Sequence, residues 1–136
     1  MKLYEKLTEA LKTLSASGAP IALAGGFAYA VYSEPRATTD IDMLSLVADD
    51  TAFESIGKLF PGSIPHKDTF SFGLVSIRRI AWPSDDDALV FDILSVHDDY
   101  FRAQIAQRVT TIQFLGAAQR IISREDLYIL KQYANR

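Results

Sequence analysis

The chain has 136 residues, with 17 acidic side chains, 14 basic side chains and no cysteine. This length suits one compact domain, so we predict a single domain over residues 1–136. The lack of cysteine excludes disulfides, thiolate zinc sites and thiol nucleophiles. No apolar stretch approaches the roughly 20 residues that a membrane span needs. Residues 1–18 lack the apolar block and cleavage site of a secretory signal, so we expect a cytoplasmic protein with no membrane partner.

Charge is unevenly distributed along the sequence. Residues 1–100 are net acidic, whereas residues 101–136 are net basic. Two interpretations are open, a solvated surface with uneven charge or a basic rim that receives a polyanion opposite an acidic centre. The net charge of −3 argues against a protein that relies on nonspecific nucleic-acid binding, since such proteins are normally more basic.

The first sixty residues predict helices alternating with short strands. Leucines at helical spacing predict an amphipathic helix from Leu3 that ends at Ser17-Gly18. We then predict a buried strand over residues 20–24, a helix over 27–32, a strand over 39–47 and a helix over 49–60. Asp49 or Asp50 is expected to cap the last of these helices.

The second half predicts two longer strands, two helices and two short strands. In chain order these are strands 70–80 and 88–96, a helix over 98–107, short strands 109–115 and 120–122, and a final helix capped by Ser123. The sum is a mixed α/β (α+β) fold, with helices packed on a sheet of short strands.

Gly25-Gly26 lies between a predicted strand and a predicted helix. Glycine has no Cβ, so a phosphate can approach the backbone closely, and the N–H groups that open a helix favour an anion. A Gly-Gly pair is more often only a turn.

Asp40 and Asp42 are two residues apart on a predicted strand, so both carboxylates project from one face. Two like charges at that spacing repel each other unless a cation lies between them, and Mg²⁺ prefers one or two carboxylates plus phosphate oxygens. The alternative is a solvent-facing edge strand with acidic positions.

Asp92 lies inside the apolar strand sequence Leu-Val-Phe-Asp-Ile-Leu. A buried carboxylate is costly without a partner, so Asp92 either forms a structural hydrogen bond or joins the metal site. If its strand lies beside the strand of Asp40 and Asp42, three carboxylates converge and support a two-metal arrangement.

Together these motifs resemble the nucleotidyltransferase signature of the DNA polymerase β superfamily. Residues 36–42, Arg-Ala-Thr-Thr-Asp-Ile-Asp, are similar to the form found in small bacterial members, including AbiEii-type toxins. Residues 91–94 resemble the later strand that carries the third carboxylate of that family. Residues 122–127, through Lys131 and Arg136, resemble a segment that often follows it. The core resemblance covers about residues 21–96.

The resemblance implies a metal-dependent transfer of a nucleoside monophosphate from an NTP to a hydroxyl, with release of pyrophosphate. It implies Mg²⁺ or Mn²⁺ as cofactor, two ions in the active complex, and an RNA, protein or small-molecule acceptor. The implied metal ligands are Asp40, Asp42 and Asp92, with Asp92 also aligning or deprotonating the acceptor hydroxyl. The implied nucleotide-binding residues are Gly25, Gly26, Arg36, Thr38 and Lys131. For Arg36 and Thr38 a structural role stays open, as does an exposed helix lysine for Lys131.

AbiEii-type relatives make a toxin with an antitoxin protein partner the leading biological hypothesis. Many relatives continue well beyond the final helix, so we expect either a homo-oligomer that completes its site with a second subunit or a missing accessory region. The alternative function is a catalytically inactive nucleotide- or protein-binding module on the same fold.

Overall fold

The computed structural model describes residues 2–24, 40–85 and 87–134. The helices in these ranges are α1 (Leu3–Ser17), α2 (Thr51–Leu59), α3 (Asp99–Arg108) and α4 (Arg124–Ala134). The strands are β1 (Ile21–Ala24), β2 (Asp40–Ser45), β3 (Ile64–Phe72), β4 (Val75–Pro83), β5 (Ala88–Val96), β6 (Thr110–Phe114) and β7 (Ala117–Ile121). None of these helices is long and apolar enough to span a membrane.

The seven strands form one mixed sheet in the order β3-β4-β5-β2-β1-β7-β6. At its centre β2 pairs in parallel with β5 and antiparallel with β1, and β1 pairs in parallel with β7. The hairpins β3–β4 and β6–β7 form the two edges, and β4 joins the first hairpin to β5. This architecture confirms the predicted mixed α/β (α+β) fold class.

One face of the sheet packs its apolar side chains against α1 and α2 and is called the core face below. Alternate residues of β2 and β5 turn toward it and are buried, namely Ile41, Met43, Phe91 and Ile93. Phe60, at the end of α2, stacks on Phe91 with 4.6 Å between ring centroids. Gln119 of β7 donates from Nε2 to the Leu11 carbonyl of α1 at 3.0 Å. Helices α1 and α2 therefore cover this core face.

α1 ends at the predicted Ser17-Gly18, and α2 begins directly after the two predicted capping aspartates. Gly18 closes α1 in the left-handed region, with φ of 70°, which glycine adopts without strain. Asp49 accepts a hydrogen bond from the Thr51 N–H at 3.0 Å, whereas Asp50 precedes α2 without a side-chain cap. The capping role is therefore that of Asp49. The helix predicted over residues 27–32 lies outside the described residues.

The prediction of a single strand over residues 70–80 is wrong. The structure divides this segment between β3 and β4, with a turn at Gly73-Leu74 where Gly73 has φ of 62°. β3 also begins earlier, at Ile64, although all of its side chains are exposed. Main-chain pairing with β4 holds β3 at the sheet edge, so its sequence carries none of the alternation that burial imposes.

An ion pair joins the end of α3 to the start of α4. Ser123 caps α4 as predicted, because its Oγ accepts from the Asp126 N–H at 3.1 Å. Both oxygens of the fully buried Asp126 accept from Arg108, at 2.6 and 2.9 Å, and Ser123 Oγ donates to Asp126 at 2.8 Å. Burial acts to raise the pKa of Asp126, but these hydrogen bonds and the charge of Arg108 hold it below its ordinary value.

Candidate active site

The sheet brings the three predicted carboxylates together on the face opposite the core. In the parallel pair of β2 and β5, Asp42 is the Cα partner of Asp92, and Asp40 is the partner of Val90. Paired residues project from the same face, so Asp40, Asp42 and Asp92 share one face. Adjacent strands place the Cα atoms of Asp42 and Asp92 about 4.8 Å apart.

Asp92 differs from the other two carboxylates in its surroundings. It is only 7% exposed, whereas Asp40 and Asp42 are partly exposed. Arg79, its partner on β4, donates from Nε to Asp92 Oδ1 at 2.8 Å and from a terminal nitrogen to Oδ2 at 3.2 Å. A fork that engages both oxygens is the strong geometry for an arginine–carboxylate pair. The cost of burying Asp92 in an apolar strand is thus met by Arg79.

Arg79 responds electrostatically to all three carboxylates. Its hydrogen bonds to Asp92 and the charge of Asp92 raise the pKa of the guanidinium above its ordinary value, against the effect of burial. The charges of Asp40 and Asp42 raise the pKa of Arg79 further. Arg79 therefore belongs to the site, although its place in the sequence did not identify it as a site residue.

The signal for Arg79 was present but ambiguous. Arg78 and Arg79 are adjacent charges within β4, and on a strand they must turn to opposite faces. Arg78 lies on the core side, where it pairs with Asp50 at 3.0 Å and lies 3.6 Å from the ring centroid of Phe53. Only the register between β4 and β5 decides which arginine meets Asp92.

The donor set fits a divalent cation held by two carboxylates. Within the three described ranges, no group of three or more His, Asp or Glu side chains is placed to hold a metal ion. Asp40 and Asp42 nevertheless share one face, and Mg²⁺ commonly takes one or two carboxylates plus phosphate oxygens. Asp92 is instead engaged by Arg79.

The predicted nucleotide-binding residues lie partly outside the described part of the chain. Gly25, Gly26, Arg36 and Thr38 lie outside the described residues. Lys131 lies on α4 with an exposed side chain. β1 ends at Ala24, the Cα partner of Asp42, immediately before the Gly25-Gly26 sequence. The structure thus brings the three aspartates together and leaves the roles of the other five residues as predictions.

Neither family models nor curated proteins give a match to this sequence. Solved structures do match its fold. A Thermotoga maritima protein described as a nucleotidyltransferase superposes with a TM-score of 0.70 at 14% identity, over 98% of this chain and 84% of that one. The chain has a nucleotidyltransferase-like fold.

Two Helicobacter pylori structures share this nucleotidyltransferase-like fold over part of their length. One, also described as a nucleotidyltransferase, has a TM-score of 0.57 at 20% identity and covers 94% of this chain. The other, JHP933, has a TM-score of 0.55 at 20% identity and covers 93%. This chain spans 56% and 53% of those two proteins, about half of each. At such identities the likeness is one of fold.

Proposed function

We propose that this protein transfers a nucleoside monophosphate from an NTP to an acceptor hydroxyl in a metal-dependent reaction. The main support for this proposal is that Asp40, Asp42 and Asp92 lie on one face of two neighbouring strands. The nucleotidyltransferase-like fold supports the same reaction class, since the solved structures that share it include proteins described as nucleotidyltransferases.

Asp40 and Asp42 are the proposed ligands of the first Mg²⁺ or Mn²⁺ ion. Both project from the same face of β2 and are partly exposed, so a metal–nucleotide complex can reach them. A bound divalent cation supplies charge that neutralises the triphosphate and lowers the pKa of a coordinated hydroxyl. Two ions are expected in the active complex, and the second involves Asp92.

Asp92 is the proposed base and aligning group for the acceptor. Arg79 fixes the orientation of its carboxylate through two hydrogen bonds. The acceptor hydroxyl oxygen forms a bond to the α-phosphorus, and its proton passes to Asp92. The bond between the α-phosphorus and the bridging oxygen breaks, and pyrophosphate leaves with that electron pair.

The remaining proposed contacts hold the triphosphate. Backbone N–H groups of Gly25 and Gly26 would bind the β- and γ-phosphates, because glycine allows close approach. Arg36, Thr38 and Lys131 would add side-chain contacts to phosphate or nucleotide. The order of the sequence supports this assignment, since Gly25 directly follows Ala24, the strand partner of Asp42.

The acceptor is proposed to be an RNA 3′ end, a protein side chain or a small-molecule hydroxyl. The resemblance of residues 36–42 to AbiEii-type toxins supports a cytoplasmic toxin that an antitoxin protein neutralises. Induced expression in a bacterial host tests this part, and the proposal requires growth arrest that depends on Asp40 and Asp42.

Label transfer tests the activity directly. Each α-³²P-labelled NTP is incubated with Mg²⁺, the protein and fractionated cell RNA, protein or metabolites. The Asp40→Asn/Asp42→Asn variant should lose at least about a hundredfold in rate, because removing metal-held charge stabilisation costs several kcal/mol. The matched control, Glu5→Gln/Glu9→Gln, neutralises two exposed carboxylates on α1 and should keep full activity.

The outcome separates the two candidate functions. Label in one fraction, lost with a chelator and in the Asp40→Asn/Asp42→Asn variant, establishes the transferase and its acceptor class. No label from a folded protein that also fails to bind Mg²⁺–NTP leaves a noncatalytic module on the same fold.

A further inference from the structure

The two hydrogen bonds from Arg79 occupy both carboxylate oxygens of Asp92. Asp92 is 93% buried, so its carboxylate has little open surface through which another ligand could approach. A metal ion that binds Asp92 must therefore share or replace a contact that Arg79 already makes. Asp40 and Asp42 are more exposed to solvent than Asp92.

Charge opposes simultaneous binding as well. Arg79 lies close enough to feel the charges of all three aspartates, so it supplies positive charge where a divalent cation would also lie. A divalent cation on Asp92 would face the guanidinium at short range, where the burial of Asp92 leaves their repulsion less screened than at an open surface. Metal and guanidinium are therefore competitors for the same carboxylate.

We propose that Arg79 is a positioning residue that holds Asp92 away from the metal site. This inference rests on the proposed function, because it concerns the metal ions of that site. Asp40 and Asp42 bind the metal–nucleotide first, and Asp92 joins a second ion only against competition from Arg79. The two ions consequently bind with unequal affinity, and only the weaker site depends on Arg79.

Mn²⁺ titration followed by electron paramagnetic resonance tests the inference without turnover. The protein is mixed with an α,β-methylene NTP analogue, and the number of Mn²⁺ ions bound per protein is measured as Mn²⁺ is added. Wild type should show a tight site and a weak site. Arg79→Gln should tighten the weak site by about tenfold, since a unit charge a few ångströms away is removed. Arg79→Lys keeps the charge but not the two-pronged hydrogen bonding, so the affinity of its weak site should lie between those of wild type and Arg79→Gln.

Arg78→Gln is the matched control, because it removes the same charge from the next residue of β4 on the opposite face. It should leave both Mn²⁺ affinities unchanged. Asp92→Asn should remove the weak site, and adding Arg79→Gln to Asp92→Asn should not restore it. Thermal unfolding of each variant without metal checks that the variant is folded. If Arg79→Gln does not fold, the comparison is made between Arg79→Lys and wild type.

Two different results would contradict the inference about Arg79 and the proposed function, respectively. If Arg79→Gln leaves the weak site within twofold of wild type, or weakens it, the role given to Arg79 is wrong while the metal site stands. If wild type with the nucleotide analogue binds no Mn²⁺ that depends on Asp40 and Asp42, the proposed function itself fails, and the inference about Arg79 fails with it.

Discussion

At the scale of single residues, the buried carboxylates of Asp92 and Asp126 show what a sequence can and cannot reveal. That Asp92 needs a partner follows from its apolar neighbours, and the Ser123 cap beside Asp126 follows from local spacing. The arginine partners do not follow. Arg79 and Arg108 meet Asp92 and Asp126 through strand register and helix packing, which involve residues 13 and 18 positions away.

Asp126 gives a pH-dependent prediction. Its pKa is lowered in the folded state, so its contribution to stability is complete above the unfolded pKa of about 3.9 and is lost as pH falls through the lower folded value. Asp126→Asn should reduce the free energy of unfolding by about 2 kcal/mol at pH 7, since charged hydrogen bonds to a buried group are lost. That deficit should shrink below about pH 4.

Urea denaturation between pH 3 and pH 8 measures this dependence. Asp99→Asn is the control, because Asp99 is 92% exposed and pairs with Arg102 within α3. Its effect should stay below about 0.5 kcal/mol. A deficit for Asp126→Asn that stays constant down to pH 3 would contradict the assignment of the lowered pKa to Asp126.

At the scale of elements, the buried strand β5 was predictable, whereas the start of β7, three residues before the predicted strand 120–122, and the exposed edge were not. β5 carries strong apolar signals and matches its predicted bounds of residues 88–96. β3 has no buried side chain and exists by main-chain pairing with β4, so its propensity signal is weak. Gly73 was the one local cue to the β3–β4 turn, and a single glycine inside a strand pattern equally indicates a bulge.

An aromatic cluster fixes α2 to the core face next to the site strand. Phe60 is 1% exposed, stacks on Phe91 and lies 4.9 Å from Trp82 between ring centroids. Phe60→Ala should therefore lower the free energy of unfolding by about 3 kcal/mol, through lost burial and the cavity left behind.

Equilibrium urea unfolding of Phe60→Ala and Phe70→Ala measures this contribution with the same chemical change. Phe70 lies on the edge strand and is 42% exposed, so its truncation should cost less than about 1 kcal/mol. Equal losses in the two variants would show that the α2 cluster does not anchor the core.

At the scale of the whole molecule, the two faces of the sheet differ in their side chains. The face covered by α1 and α2 is apolar, whereas the opposite face combines buried apolar residues such as Leu44 and Val96 with Asp40, Asp42 and Asp92 beside Arg79. Alternation along β2 and β5 assigns each residue to one face, so a one-residue slip in register would exchange the two sets. The sequence alone predicts which residues share a face. The Asp-x-Asp pattern does so for β2, and the single aspartate in an apolar run does so for β5.

Nucleotidyl transfer breaks the bond between the α-phosphorus and its bridging oxygen, and the fate of two labels tests this most directly. One NTP, labelled with ³²P at either the α or the γ position, is incubated with Mg²⁺, the protein and its acceptor fraction. We predict that α label appears on the acceptor, that γ label appears in pyrophosphate, and that Asp40→Asn/Asp42→Asn abolishes both. Transfer of γ label to an acceptor, or release of γ label as orthophosphate with no α label on any acceptor, would contradict nucleotidyl transfer.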